Sequence, residues 1–189
     1  MVIIHNDLQD YSRERLNEEY FAWLKPELEE ISGRPVFIQM SDNQDVPELT
    51  DYNYRNDDTT ASVAGWKERV TNLHSVLSKQ ENFDRNLIKI LLLTRYNISE
   101  VLWGLGGAVG GMAYSKSYAG ISAITSRRAP AHEIGHMLGA THEDSEVVYD
   151  GWWHDSIMLS DAGSQYRGNN YRFSDKNRQN IRNYLKKFP

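Results

Sequence analysis

The spacing of three histidines between residues 132 and 142 constrains this chain more than any other feature of its sequence. His132 and His136 are four residues apart, so on a helix they lie one turn apart on the same face. Both imidazole rings can then direct a nitrogen at one ion about 2.0–2.1 Å away. The spacing therefore predicts a helix that contributes two metal ligands.

Gly139 and His142 extend this pattern beyond the helix. A glycine three residues after His136 allows the helix to end in a left-handed conformation without steric cost. The chain can then turn back so that His142 supplies a third ligand. Three neutral imidazoles leave one tetrahedral position open for water, which is the arrangement of a catalytic zinc site rather than a structural one.

Glu133 directly follows the first of these histidines. We expect its carboxylate to lie near the ion without binding it, which suits a general base acting on a metal-bound water. Pro130 fits the first turn of the same helix, because its missing amide proton needs no partner there.

Composition excludes several other classes of protein. The 189 residues include no cysteine, so thiol nucleophiles, thiolate metal sites and disulfides are impossible. Lysine and arginine total 21 against 26 acidic residues, which argues against nucleic-acid binding. The longest apolar run, 87–93, is interrupted by Lys89 and is too short to cross a membrane. We expect a single domain of ordinary globular composition.

Hydrophobic patterning predicts strands alternating with helices before the histidine motif. Strands are predicted at 2–5, 35–40, 87–94, 110–115 and 119–125, and helices at 16–31, 63–77 and after Ser174. Pro26 is expected to kink or restart the first helix. The nearly continuous apolar run at 87–94 is typical of a strand covered on both faces, and indicates the centre of the sheet. Four basic residues are expected on the exposed face of the last helix: Arg178, Arg182, Lys186 and Lys187.

Two polar or glycine-rich segments have further implications. Five of the eight residues from 104 to 111 are glycine, which predicts a bend or a close approach of another backbone, and a sheet edge that a partner chain can reach. A second segment carries five aspartates and is predicted to be a solvated loop, with a structural Ca²⁺ site as the alternative. These are Asp42, Asp45, Asp51, Asp57 and Asp58.

The pattern His-Glu-x-x-His-x-x-Gly-x-x-His from His132 to His142, followed by Ser156-Ile157-Met158, resembles the metzincin zinc metallopeptidases. In that family a methionine turn passes beneath the zinc ligands as a hydrophobic floor, and Met158 is implied to be its methionine. The order of elements and the C-terminal helix are most similar to a small reprolysin (adamalysin)-type catalytic domain.

The resemblance implies an α/β (α+β), zincin-like fold. Its parts are a twisted mixed five-stranded sheet with long helices, an active-site helix and a small C-terminal subdomain. Residues 1–139 are the expected upper subdomain. Residues 140–189 are the expected lower subdomain, with the methionine turn and the last helix.

The implied function is zinc-dependent endopeptidase activity with Glu133 as the catalytic base and His132, His136 and His142 as the metal ligands. An extended protein or peptide substrate is expected to pair with an edge strand.

Residues 155–163 are expected to shape a side-chain pocket for the substrate. Ser160 occupies the position where some metzincins carry a zinc-interacting tyrosine, so a tyrosine switch is not expected. The substrate-pairing residues are expected to be Gly110, Gly111, Met112, Ala113 and Tyr114.

The sequence allows two alternative functions. One is a metzincin-like module that binds peptides without turnover, which an intact Glu133 disfavours, and the other is a zinc hydrolase of non-peptide amides. We expect a monomer. The amino terminus lacks the basic and apolar regions of a signal peptide, so we expect a protein that is secreted or exported without a recognisable N-terminal signal, with a cytoplasmic location as the alternative.

Overall fold

A five-stranded β-sheet forms the centre of the computed structural model, which describes residues 1–80, 83–100, 108–159 and 167–188. Its strands are β1 (Val2–Ile4), β2 (Met40–Ser41), β3 (Ile90–Thr94), β4 (Gly111–Ala113) and β5 (Ala119–Ala123). They lie in the order β2-β1-β3-β5-β4, with β4 antiparallel to β5 and the other neighbours parallel. The predicted mixed five-stranded sheet is confirmed, and β3 is its central strand.

The central strand β3 is buried along its whole length. Leu91 and Leu93 belong to one apolar cluster, whereas Ile90 and Leu92 belong to another. Successive side chains of a strand point to opposite faces of the sheet, so the two clusters lie on opposite sides. The expectation of a strand covered on both faces is therefore confirmed.

The helices predicted at 16–31 and 63–77 are each divided into two shorter ones. The α-helices of the described residues are α1 (Arg13–Tyr20), α2 (Leu24–Ser32), α3 (Pro47–Thr50), α4 (Thr59–Arg69), α5 (Thr71–Gln80), α6 (Ala129–Met137) and α7 (Asp175–Leu185). Between α1 and α2, Phe21 leaves the helical conformation with φ −129°. Pro26 lies in the first turn of α2, where an amide proton has no intrahelical acceptor. Pro26 thus restarts the helix rather than kinking it.

The predicted strand at 35–40 is wrong except at its end. Only Met40 belongs to β2, and Phe37 is 73% exposed. Met40 and Ser41 pair with Val2 and Ile3 at the beginning of β1. Residues 35–38 come before the two paired residues and lie beyond the beginning of β1. They have no strand to pair with, so they do not form one despite their strand propensity.

The last helix α7 begins as predicted, because the Ser174 side chain caps it by accepting from the Asn177 amide. The expectation that Arg178 faces solvent is wrong. Arg178 is 5% exposed, and its guanidinium lies 2.6 Å from Glu27 Oε2 on α2. A second contact joins it to Glu30. This buried ion pair joins α7, the last helix, to α2.

Replacing Arg178 with alanine should destabilise the protein by about 3–5 kcal/mol, because the carboxylate of Glu27 would remain buried without its partner. Urea unfolding measures this loss. The same replacement at Lys187, an exposed residue after the same helix, should change the free energy of unfolding by less than about 0.5 kcal/mol. Equal effects of the two variants would contradict a role of the ion pair.

A second, three-stranded sheet lies between α6 and α7. Its strands are β6 (Val147–Tyr149), β7 (Trp153–Asp155) and β8 (Gly168–Asn169), in the order β6-β7-β8. The end of β7 leads directly into Ser156, Ile157 and Met158. Within the described ranges, no helix has the length and apolar character needed to cross a membrane.

Candidate metal centre

The predicted motif helix is α6, which packs against β4 and β5. His132, Glu133 and His136 all lie on it, and Pro130 lies in its first turn. The expectation for this segment is confirmed because the four-residue spacing, the proline and the apolar neighbours all favour the same helix.

The chain turns sharply after α6. Gly139 has a backbone φ of +92°, a conformation that residues with a side chain rarely adopt. The amide of Ala140 donates to the carbonyl of Gly135 at 2.9 Å, which satisfies a carbonyl at the end of the helix. The predicted left-handed turn at Gly139 is confirmed, and it returns the chain towards the helix so that His142 reaches the other two histidines.

The three predicted ligands converge. His142 Nε2 lies 2.8 Å from His132 Nε2 and 3.0 Å from His136 Nε2. One ligand atom from each histidine lies within 4.8 Å of the other two. Tetrahedral coordination with metal–nitrogen bonds of 2.0–2.1 Å separates ligand nitrogens by about 3.3 Å. The three side chains are thus close enough to bind one metal ion, with only small adjustments of their rings.

Backbone carbonyls fix which ring nitrogens are available. His132 Nδ1 donates to the Ile157 carbonyl at 3.0 Å, and His136 Nδ1 donates to the Ala140 carbonyl at 3.2 Å. Because a carbonyl oxygen only accepts, each Nδ1 carries the proton and each Nε2 presents a lone pair. Such partners on the far side of the ring are typical of metal-binding histidines.

Burial keeps two of the rings neutral. It lowers the pKa of His132 to about 3, with the neighbouring histidines and Arg128 adding smaller effects in the same direction. Burial also lowers the pKa of His136. Since a protonated imidazole cannot bind a metal, the environment favours the form that can.

Glu133 is 6% exposed, and among the described residues its Oε2 atom has no hydrogen-bond partner. Burial raises the pKa of its carboxyl to about 8. A buried polar atom without a partner is costly to maintain. Such an atom, on the residue that directly follows His132, is available to bind a water molecule or carry a proton.

Gly111 on β4 contacts this carboxyl side chain. A β-carbon built at Gly111 would lie 2.7 Å from Glu133 Oε1 and 2.8 Å from Glu133 Cγ. Only glycine allows the strand to approach so closely. The glycine-rich sequence predicted a close approach of another backbone, whereas the close neighbour of Gly111 is the side chain of Glu133.

The structure places Met158 against α6. Met158 is fully buried, and a β-carbon at Gly135 would lie 2.5 Å from its sulfur and 2.7 Å from Phe173 Cε1. Ile157, the preceding residue, is the one whose carbonyl accepts from His132. The segment after β7 therefore both orients His132 and packs against the helix that carries it.

The predicted substrate-pairing strand is an edge strand. β4 is the last strand of the sheet, and the described residues contain no strand paired with its other side. Gly110 and Tyr114 flank it: the Gly110 carbonyl accepts from Ala123 at 2.7 Å, and the Tyr114 hydroxyl donates to the Thr60 carbonyl at 3.2 Å. Met112 and Ala113 pair inward with Ile121 and Gly120 of β5.

The five aspartates of the polar segment are spread over separate contacts rather than gathered at one point. The structure distributes its acids: Asp42 and Asp45 contact Arg13, Asp51 contacts Arg69, and Asp58 caps α4. Across the described ranges, the three histidines are the one group of three or more candidate metal-binding side chains found together.

Part of the predicted pocket and the glycine run lie outside the described residues. These are residues 160–163 of the expected pocket, including Ser160, and residues 104–107 of the glycine-rich segment.

The sequence matches no model of a known protein family, and no curated protein matches it either. The chemistry of the centre is therefore inferred from the geometry of its own residues.

Proposed function

We propose that this protein is a zinc-dependent endopeptidase of the metzincin type, most similar to reprolysins. The observation that carries the proposal is the convergence of three Nε2 atoms, together with the buried carboxyl group of Glu133 on the same helix, whose Oε2 has no partner among the described residues. Three histidines with one open position are the ligand set of a catalytic zinc site. Imidazole nitrogens also suit copper, iron and nickel, so the identity of the metal is part of the proposal.

Zinc bound by these three histidines would lower the pKa of a coordinated water to about 7 and polarise a substrate carbonyl. The positive charge of a bound ion would lower the pKa that burial raises, so that the Glu133 carboxylate could accept the proton of the attacking water and deliver it to the leaving amine. Its burial favours this role, because a carboxyl group removed from bulk water exchanges its proton with a bound reactant rather than with solvent. The Ile157 and Ala140 carbonyls would orient His132 and His136 throughout.

An extended polypeptide is the substrate that the surroundings favour. The open side of β4 offers backbone amide and carbonyl groups to a peptide in β conformation. Gly111, in this strand, contacts Glu133, so a peptide paired with β4 would pass close to the proton carrier.

Incubation of the zinc-loaded protein with a library of quenched peptides and with unfolded proteins tests the proposal. We expect internal cleavage and one bound zinc ion per chain. Peptide binding without cleavage would support a binding module instead, and hydrolysis confined to small amides would support the non-peptide hydrolase.

Replacing Gly111 with alanine should lower kcat/KM by about 10- to 100-fold while zinc binding is retained. The added methyl group would occupy the place of the Glu133 carboxyl and displace it, and a displacement of about 1 Å can cost 100-fold in rate. Kinetics with a peptide substrate measure the loss, and metal analysis together with the unfolding midpoint separates displacement of Glu133 from unfolding. A variant with unchanged kcat/KM would show that the contact does not position the carboxyl group.

A further inference from the structure

The third ligand lacks the backbone contact that fixes the other two. His132 and His136 are each oriented through Nδ1 by a carbonyl. The His142 side chain is exposed, and within the described part of the chain the polar contacts of its ring are with the other two imidazoles. The position of His142 must therefore be set by the backbone that carries it.

The side chain of Asn177 on α7 forms hydrogen bonds with the backbone of Thr141, the residue before His142. Its Oδ1 accepts from the Thr141 amide at 2.8 Å, and its Nδ2 donates to the Thr141 carbonyl at 2.9 Å. Asn177 is fully buried. The side-chain amide thus makes the paired donor and acceptor contacts that a neighbouring β-strand would make, and it fixes both peptide groups around Thr141.

Asn177 also makes a hydrogen bond through its backbone. Its backbone amide donates to the Ser174 hydroxyl at 3.1 Å in the capped first turn of α7. On the other side of His142, Asn180 Nδ2 donates to Asp144 Oδ2 at 2.7 Å, and the Ser174 hydroxyl donates to the Asp144 carbonyl. The segment that carries the third ligand is therefore attached to α7 both before and after His142.

We propose that Asn177 is a positioning residue for His142, so that the C-terminal helix preorganises the third ligand of the metal centre. The inference rests on the proposed metal site. Without this contact the exposed histidine must be ordered by the metal itself, and the cost of that ordering is subtracted from the binding free energy. Partners that orient metal ligands typically change affinity by 10- to 100-fold when they are removed.

The test is a metal titration of Asn177→Asp with zinc and with cobalt(II), whose visible absorption reports the number and geometry of its ligands. Aspartate has the shape of asparagine and still accepts from the Thr141 amide, but it cannot donate to the Thr141 carbonyl. It also suits the first turn of a helix. We expect zinc affinity to fall by about 10-fold or more and the cobalt spectrum to shift towards weaker coordination.

Ile181→Val is the matched control. Ile181 is fully buried on the same helix, and its truncation weakens packing without touching Thr141. We expect the zinc affinity and the cobalt spectrum of this variant to equal those of the unmodified protein.

If the unmodified protein does not bind zinc or cobalt, the proposed metal site fails. If it binds and Asn177→Asp binds equally well, or if Ile181→Val is weakened as much, the positioning role is overturned. Should Asn177→Asp not fold, Asn177→Ser is measured in its place, with the same two criteria.

Discussion

Replacing Glu133 with glutamine is expected to lower the rate of peptide cleavage by about 100- to 10,000-fold, the usual contribution of a positioned proton carrier. Glutamine preserves the volume that fills the space beside Gly111, but its amide cannot accept a proton. The three imidazoles are unchanged, so zinc should bind with the same stoichiometry. Steady-state kinetics on a peptide cleaved by the unmodified protein, with metal analysis of both proteins, measures these effects.

Glu143→Gln provides the matched control for this result. Glu143 directly follows the third ligand but is exposed, so we expect its replacement to change the rate by less than about threefold. If Glu133→Gln retained full activity, the proton would have to be carried by another group, and the proposed mechanism would be wrong. If both variants lost activity equally, a general effect of charge near the site would explain the result better.

The parts of the centre that the sequence predicts correctly are those set by local geometry. His132 and His136 share a face because a helix repeats every 3.6 residues. Gly139 adopts a positive φ because glycine alone does so without cost. Neither property depends on distant residues, so both follow from spacing and residue type.

The contacts that complete the centre could not be predicted in the same way. Ile157 lies 25 residues from His132, and Asn177 lies 36 residues from Thr141. No periodicity of the sequence links such pairs, because they meet only when α6, the segment after β7 and α7 pack together. The buried Arg178 was missed for the same reason, since its partner Glu27 is 151 residues away. Helical spacing alone cannot tell an exposed cationic face from one that meets an acid.

The strand predictions show a related limit. The run at 87–94 was correctly predicted to be central because burial on both faces requires continuous apolar residues. The run at 35–40 has similar strand propensity, but β1 offers it pairing only from Met40 onward. A strand forms where a partner strand exists, and the length of that partner is a property of the whole sheet.

Zinc should raise the unfolding temperature of the unmodified protein by roughly 8–16 °C when free zinc exceeds the dissociation constant about 1,000-fold. A ligand that binds only the folded state contributes about 4.1 kcal/mol at that excess, and each kcal/mol shifts the midpoint of a domain of this size by about 2–4 °C. The stabilisation arises because the three nitrogens converge only when α6 and the turn at Gly139 are folded.

His136→Gln should lose most of this shift, because two remaining imidazoles bind zinc far more weakly than three. His154→Gln is the matched control: His154 contacts Asp150 and is not part of the three-histidine group, so its zinc-dependent shift should equal that of the unmodified protein. Thermal unfolding with and without zinc, at a fixed buffered concentration of the free ion, gives both values. An equal shift in His136→Gln would mean that zinc binds elsewhere on the chain. The proposed catalytic centre would then be wrong, because zinc bound by the three converging histidines should stabilise the folded state only while all three are present.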